Sequence, residues 1–334
     1  MTEPLAKAKK EQKASPSLSK GSLLLGFSAL FSLLLFLRNA ELATGAMSDA
    51  LRLCATTLIP SLFPFLVLSE VVVNTGAGVP LGRLLHRPFR RLFGVSESGA
   101  CAVLLGLLCG FPVGTRCVLS LYRQGAIGRR EAEHLLTFCN TPSSAFLIST
   151  VGYSLFHSRS FGYLLLGTTL LSAVVVGILG NLLKKKKGER SPTESVAPSP
   201  VGAPSRQEKV SVILSAAIQA SALSMLKICA FVVFFSTVAA ALSAILSRLS
   251  ISSPLLALLL GLWEMTGGVR RSAALSFYPR EICAALVGWS GFSVHLQMIG
   301  LCDGVSLSFR PYFLARLLQG ILNCILVFLW LRLF

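Results

Sequence analysis

Long hydrophobic runs alternate with short polar or basic stretches along the whole chain. The hydrophobic runs fall at about residues 22–37, 56–74, 135–155, 161–183, 210–246, 282–301 and 312–331. A run of about 20 apolar residues is long enough for a helix to cross the hydrocarbon core of a bilayer. Because only helices and closed barrels satisfy the backbone there, the pattern predicts an all-α polytopic membrane protein.

One further hydrophobic run is interrupted in its middle. Residues 104–125 read LLGLLCGFPVGTRCVLSLYRQG, with two glycines and a proline at 110–114. Basic clusters at 83–91 and 123–130 flank this run, and basic loops favour the cytoplasmic side. A segment that begins and ends on the same side cannot cross. We therefore predict a re-entrant helical hairpin at about 100–122, covered by protein or by a water-filled cavity.

The second half of the chain contains a faint copy of this feature. The stretch GLLCGFPVGTR at 106–116 aligns with GLWEMTGGVRR at 261–271, and each places a break before an arginine. Paired broken helices in corresponding halves are typical of secondary transporters built as inverted repeats. The sequence thus predicts two inverted repeats, the second with a gate hairpin at about 255–277. The arginines at 270, 271 and 280 oppose this topology, because they would lie on the non-cytoplasmic side or in a cavity.

Composition supports a membrane protein and argues against nucleic acid. Of the 334 residues, 53% are hydrophobic and 13% charged, against roughly 25% charged in soluble domains. The net charge is +17, but lysines and arginines lie between the hydrophobic runs, where topology and lipid headgroups account for them. The expected partners are therefore the lipid bilayer and a small substrate, with no nucleic acid.

The charged and Pro/Ser-rich stretches divide the chain into two halves. We predict a disordered basic tail at 1–20, a first membrane half at 21–183, a cytoplasmic basic linker at 184–209 and a second membrane half at 210–334. The first hydrophobic run follows basic residues but precedes no small-residue cleavage site. It is interpreted as a retained, signal-anchor-like span with a cytoplasmic amino terminus.

No catalytic or cofactor motif is present. The sequence contains no G-x-S-x-G, H-E-x-x-H, phosphate-binding loop or dinucleotide fingerprint. Its nine cysteines are scattered without a C-x-x-C pair, which suits neither a disulfide framework nor a zinc site. We expect neither an enzyme, a cofactor nor a metal site.

The two breaks and the helix starts that follow them are the candidate substrate site. Helix starts expose N–H groups that attract anions, glycines permit close approach, and arginines pair with carboxylates. The first-half candidates are Gly110, Phe111, Pro112, Gly114, Thr115, Arg116, Asn140, Thr141, Ser143 and Ser144. The second-half candidates are Glu264, Thr266, Gly267, Gly268, Arg270 and Ser290.

Simpler interpretations of these residues stay open. The first break is alternatively a packing kink, and Arg116 alternatively extends to lipid headgroups. Arg270 and its neighbour are alternatively charges of an exposed turn. Glu264 pairs structurally with an arginine or carries a proton for coupling. His295 is either a proton relay or a satisfied packing residue.

Three stretches resemble the YlbJ-type sporulation integral membrane proteins. They are PSLFPFLVLSEVVVNTG at 60–76, GLLCGFPVGTRCVLSLYRQGAIGRREAEHLLTFCNTPSSAFLISTVG at 106–152 and GLWEMTGG at 261–268. This family belongs to the nucleoside-recognition or gate domain group, which is similar to parts of concentrative nucleoside transporters and bacterial ferrous-iron transporters. The resemblance covers about residues 56–328.

The resemblance implies a role in endospore formation. It implies a secondary-type transporter that moves a small organic anion, dipicolinic acid, from the mother cell across the outer forespore membrane. A planar dianion would suit two hairpin tips with Arg116 and Arg270 on its carboxylates. The alternatives are a non-transporting membrane scaffold for spore maturation and a nucleoside transporter. A homo-oligomer and contacts with other sporulation membrane proteins are left open.

Overall fold

The computed structural model describes residues 20–75, 77–186 and 210–334, and in these ranges the regular elements are all helices. The predicted all-α membrane fold is confirmed. Six helices are long and apolar enough to cross a bilayer, or seven if a bent pair is counted as one span. The described part of the chain is therefore that of a multi-pass integral membrane protein in contact with lipid. The predicted tail and most of the predicted linker lie outside the described residues.

Within the described residues, the first half contains eight α-helices and two π-helical segments. A π-helical segment, π1 (Cys54–Leu58), continues α2 into α3, and a second, π2 (Phe146–Leu155), precedes α8. The α-helices are α1 (Lys20–Arg38), α2 (Ala40–Leu53), α3 (Ile59–Asn74), α4 (Gly78–Phe93), α5 (Glu97–Cys109), α6 (Val113–Arg123), α7 (Arg129–Phe138) and α8 (Arg159–Lys186).

The second half contains six α-helices, two of them long. They are α9 (Val210–Leu246), α10 (Ser253–Trp263), α11 (Met265–Ala273), α12 (Pro279–Trp289), α13 (Gly291–Leu301) and α14 (Arg310–Leu333). Each half therefore ends with two pairs of short helices followed by one long helix. In the first half these are α5–α6, α7–π2 and α8. In the second half they are α10–α11, α12–α13 and α14. The order of elements repeats, and the inverted relation between the halves stays a prediction.

Two predicted continuous spans are broken in the structure. The run at 135–155 is divided between α7 and π2 by a non-helical stretch at 140–143. Pro142 lies in this stretch, and a proline disfavours helical backbone at the residue before it. The run at 282–301 is divided at Ser290 and Gly291, both with positive φ (78° and 79°). Since positive φ is incompatible with a right-handed helix, the second run forms two short helices.

The axis of helix α4 is nearly perpendicular to that of α5. The axis from Gly82 to Phe93 is bent by 89° from that of Glu97–Cys109. Arg83 Nε donates to Glu97 Oε1 at 2.8 Å across the bend. Asn181 of α8 donates to the carbonyl oxygen of Leu92, 2.9 Å away, at the end of α4. These contacts hold the basic stretch at 83–91, which precedes the first hairpin, as a helix at a right angle to α5.

Both short hairpins close through a pair of facing glycines. Gly106 of α5 faces Gly114 of α6, and a Cβ on Gly114 would overlap the Cα of Gly106. In the same way Gly261 of α10 faces Gly268 of α11, and a Cβ on Gly268 would overlap the Cα of Gly261. Small residues let helix backbones approach within a membrane. The glycines therefore bring the two arms of each hairpin together and place the breaks at their tips.

Candidate functional site

The four helix breaks meet at one cavity, which we call the central chamber. It offers about 70 Å³ to the centres of water-sized spheres, which is room for several water molecules. The hairpin tips contribute Phe111 and the Glu264–Thr266 segment, and the other two breaks contribute the Asn140–Ser143 stretch and Ser290. Helix π1 and the long helix α9 complete the walls with apolar side chains. Discontinuous helices from both halves thus border a single cavity.

Hydrogen bonds lock the first hairpin tip to the break that follows α7. The backbone N–H of Phe111 donates to the carbonyl oxygen of Thr141 at 2.8 Å. Thr115 on α6 donates to Asn140 Oδ1, and Asn140 Nδ2 donates to the carbonyl oxygen of Leu136 at 2.8 Å. An asparagine amide carries two N–H groups. Asn140 therefore keeps one further N–H donor at the chamber wall.

The second hairpin tip is built on a buried carboxylate. Glu264, only 2% exposed, is the N-cap of α11 and accepts from the backbone N–H groups of Thr266 (2.8 Å) and Gly267 (2.5 Å). Ser236 of α9 donates to the same side chain at 3.3 Å. A carboxylate at a helix start satisfies free N–H groups and interacts favourably with the helix dipole. Within the described residues, no arginine nitrogen lies within 4 Å of the Glu264 carboxylate. The structural interpretation of Glu264 as the partner of an arginine is therefore not supported, and the proton-carrying interpretation stays open.

The break at Ser290 is held by a side chain that the sequence prediction missed. Arg316 of α14 donates to Ser290 Oγ, to Gln319 Oε1 and, at 3.4 Å, to the carbonyl oxygen of Val287. Gln319 in turn donates to the carbonyl oxygen of Thr137 at 2.9 Å. This chain of contacts joins α12, α14 and α7 behind the chamber.

A sequence signal for this polar layer exists. Arg316, Gln319 and Asn323 are three and four residues apart, so they lie on one face of α14. All three are at most 1% exposed. Polar residues on one face of a membrane helix point to the protein interior, so the spacing alone predicts a buried polar face on the last helix.

Arg116 and Arg270 do not line the central chamber. Arg116 Nη2 lies 3.1 Å from Glu70 Oε1, and Arg116 Nη1 donates to Ser224 Oγ at 3.2 Å. Arg270 Nη2 lies 4.0 Å from Asp49 Oδ2. The expected placement of both guanidinium groups on one substrate is thus not what the structure shows. Successive helix residues point about 100° apart, so Thr115 faces Asn140 while Arg116 faces α3.

Each of these arginines instead lines a separate cleft beside the chamber. The Arg116 cleft, about 410 Å³, also contains Lys227 and shares Phe111 and Gln297 with the chamber. The Arg270 cleft, about 370 Å³, also contains Arg271 and Asp49 and shares Glu264. Each cleft therefore carries two cationic side chains, offset by two acids in the Arg270 cleft, and borders the chamber through a hairpin tip.

The remaining predicted site residues divide between the chamber, the clefts and the packing around them. Phe111, Asn140, Ser143, Glu264, Thr266 and Ser290 line the chamber. Pro112 lines the Arg116 cleft, and Gly267 and Gly268 line the Arg270 cleft. Gly110 and Gly114 pack against the Thr141 and Cys139 backbone, while Ser144 donates to the carbonyl oxygen of Leu108 at 3.2 Å. Thr141 is buried, and its Oγ1 has no partner among the described residues.

His295 packs in an aromatic cluster. Its Nδ1 lies 2.9 Å from Tyr312 Oη, and its ring is edge-on to Trp289 and Phe313. The imidazole is fully buried. Its Nε2 has no hydrogen-bond partner among the described residues, so His295 is not a fully satisfied packing residue and both interpretations stay open.

The chain is similar to one curated protein along most of its length. The sporulation integral membrane protein YlbJ of Bacillus subtilis (strain 168) is 26% identical over 341 residues, which covers 94% of this chain and 84% of that protein. The resemblance to the YlbJ-type proteins is confirmed. The YlbJ match extends through both halves, so it covers both hairpins. No family model matches the chain, and no solved structure matches it significantly.

Proposed function

We propose that the chain is a secondary-type transporter of a small organic anion, and that this anion is dipicolinic acid crossing the outer forespore membrane during sporulation. The observation that carries the proposal is the convergence of four helix breaks on one chamber. In transporters built from repeats, broken helices from both halves border the substrate site. In this proposal the chain moves its substrate without chemical change and is not an enzyme.

The chamber wall matches a flat, polar-edged ligand. Phe111 and Phe146 supply aromatic surface, while Ser143, Ser293 and Gln297 supply hydrogen-bond donors at intervals around it. Dipicolinate has a planar ring whose nitrogen and two carboxylates are all acceptors. A site that presents apolar faces to the ring and donors to its rim is complementary to such a ligand.

One of the two clefts suits the entry of an anion. Arg116 and Lys227 line it without a carboxylate among the described residues, whereas Arg270 and Arg271 share the other cleft with Asp49 and Glu264. A cleft lined by one sign of charge raises the local concentration of the opposite ion. Glu70 contacts Arg116 and offsets part of this charge, which would keep an anion from being held in the Arg116 cleft.

Uptake into proteoliposomes tests the proposal. We expect saturable uptake of radiolabelled dipicolinate and none of uridine. A Gln297→Ala variant removes one donor from the chamber, and a hydrogen bond to a charged group contributes about 1.5–3 kcal/mol. We therefore expect the KM for dipicolinate to rise about tenfold or more, with little change in the matched variant Gln219→Ala, whose glutamine is exposed on α9.

Three outcomes would contradict the proposal. Uptake of uridine alone would favour the nucleoside transporter. No flux of either compound through folded protein would favour the membrane scaffold. Equal KM values for dipicolinate in the Gln297→Ala and Gln219→Ala variants would show that the substrate does not contact Gln297 in the chamber.

A further inference from the structure

Arg316 is a buried cation without a nearby anion. Its side chain is fully buried in α14, and its acceptors are a serine hydroxyl, a glutamine amide oxygen and a backbone carbonyl. Its Nε has no hydrogen-bond partner, and no carboxylate in the described ranges lies within 4 Å of the guanidinium. The other two candidate arginines differ, because Arg116 and Arg270 each face an acid.

An unpaired cation at this position is expensive to keep. Ionisable residues inside membrane segments are costly and mark functional sites by default. The three hydrogen bonds account for a long side chain with several donors at this position, since a glutamine amide offers only two N–H groups. The positive charge that comes with these donors is not offset by a carboxylate.

Ser290 transmits this charge to the chamber. Arg316 donates to Ser290 Oγ, so the hydroxyl hydrogen must point elsewhere. Its acceptor within the protein is the carbonyl oxygen of Val287 at 3.3 Å, which is long for an O–H donor. Since Ser290 lines the chamber, its hydroxyl can rotate to donate to a carboxylate there, with the guanidinium directly behind it.

Glu264 does not cancel this charge. Its two oxygens already accept from two backbone N–H groups at the start of α11 and from Ser236. These donors and the helix dipole offset its negative charge locally. The chamber therefore presents a compensated carboxylate on one wall and an uncompensated guanidinium behind another.

We propose that Arg316 is the charge-selecting residue of the chamber. It acts through Ser290 as a positioning residue, and it makes the chamber prefer a carboxylate over a neutral group of the same shape. This inference rests on the proposed transport function, and it assigns the selecting charge to α14 rather than to the hairpin arginines.

Charge selectivity is the quantity that tests the proposal. In proteoliposomes, we would measure the KM for radiolabelled dipicolinate and the inhibition constant of pyridine-2,6-dicarboxamide, its neutral isostere. We define the selectivity ratio as the inhibition constant of the dicarboxamide divided by the KM for dipicolinate. A high ratio means that the chamber prefers the charged ligand, and the ratio is insensitive to the amount of active protein. In the Arg316→Gln variant we expect this ratio to fall about tenfold or more, while Arg316→Lys, which keeps the charge, restores most of it.

Two further variants separate charge from structure. Ser290→Ala removes the transmitting hydroxyl, and we expect it to lower the selectivity ratio even if Arg316→Gln does not fold. Arg332→Gln, at an exposed position of the same helix, is the matched control and should leave the ratio unchanged.

The inference and the proposed function fail in different ways. A wild-type protein without dipicolinate flux would overturn the proposed function, and the inference with it. An active wild type whose ratio is unchanged in folded Arg316→Gln or in Ser290→Ala would overturn the inference alone. Arg316→Gln that weakens both ligands equally, without rescue by Arg316→Lys, would show a purely structural role.

Discussion

Replacing Gly114 by alanine should disrupt the first hairpin and, through it, the chamber. A methyl group on Gly114 would overlap the carbonyl oxygen of Cys139 and the Cα of Gly106. Both obstacles are backbone atoms, which cannot rotate away as a flexible side chain can. Cys139 immediately precedes Asn140, whose side chain lines the chamber. The clash should therefore displace a site residue as well as strain the hairpin.

The magnitude follows from two opposing effects. Overpacking a close-packed interior typically costs about 1–3 kcal/mol, and more where the obstacle is rigid. Alanine in place of a helical glycine returns up to about 1 kcal/mol through helix propensity. We therefore expect Gly114→Ala to lower the free energy of unfolding by roughly 1–2 kcal/mol. Gly167→Ala is the matched control, because nothing lies within 4 Å of the Cβ position on that exposed helical glycine.

Thermal unfolding in detergent, followed by circular dichroism, measures the difference between the two variants. The expected order of melting temperatures is Gly167→Ala at or slightly above wild type, and Gly114→Ala lower by several degrees. Dipicolinate uptake by Gly114→Ala should also show a raised KM, since Asn140 moves. A Gly114→Ala protein as stable as the control would refute the close backbone approach on which the hairpin geometry depends.

Two other predictions concern charged side chains. Arg116→Ala removes a cation from the Arg116 cleft and leaves its partner Glu70 unpaired. Dipicolinate uptake should therefore fall most at low ionic strength rather than vanish. Complete loss at every salt concentration would instead place Arg116 at the substrate. Burial raises the pKa of Glu131 on α7, against the opposing effect of hydrogen bonds from Ser96. A raised folded-state pKa means stability that is present at low pH and lost as the pH rises through that pKa. Melting temperatures at pH 5 and pH 8 should therefore differ less in Glu131→Gln than in wild type, and an unchanged difference would contradict this account.

Hydrophobic length and helix breakers determined much of the fold in advance. The runs at 161–183, 210–246 and 312–331 correspond to α8, α9 and α14, because long apolar segments have no other stable form in a bilayer. The break at Gly110–Pro112 also follows from local composition, since glycine and proline interrupt helices by their own backbone preferences. The break at Glu264 is a capping position, with Gly267 and Gly268 inside α11. These features depend only on residues close together in the sequence.

The break at Ser290 and the partners of the arginines depended on distant residues. Ser290 lies between two apolar stretches without a proline, and its positive φ is supported by Arg316, 26 residues later. Arg116 and Arg270 occupy similar positions after their breaks, yet helix rotation directs them to Glu70 and Asp49 on other helices. Local patterns thus determined where the helices break. Only tertiary packing decided which side chains meet at the breaks, because that depends on how each helix is rotated against neighbours remote in sequence.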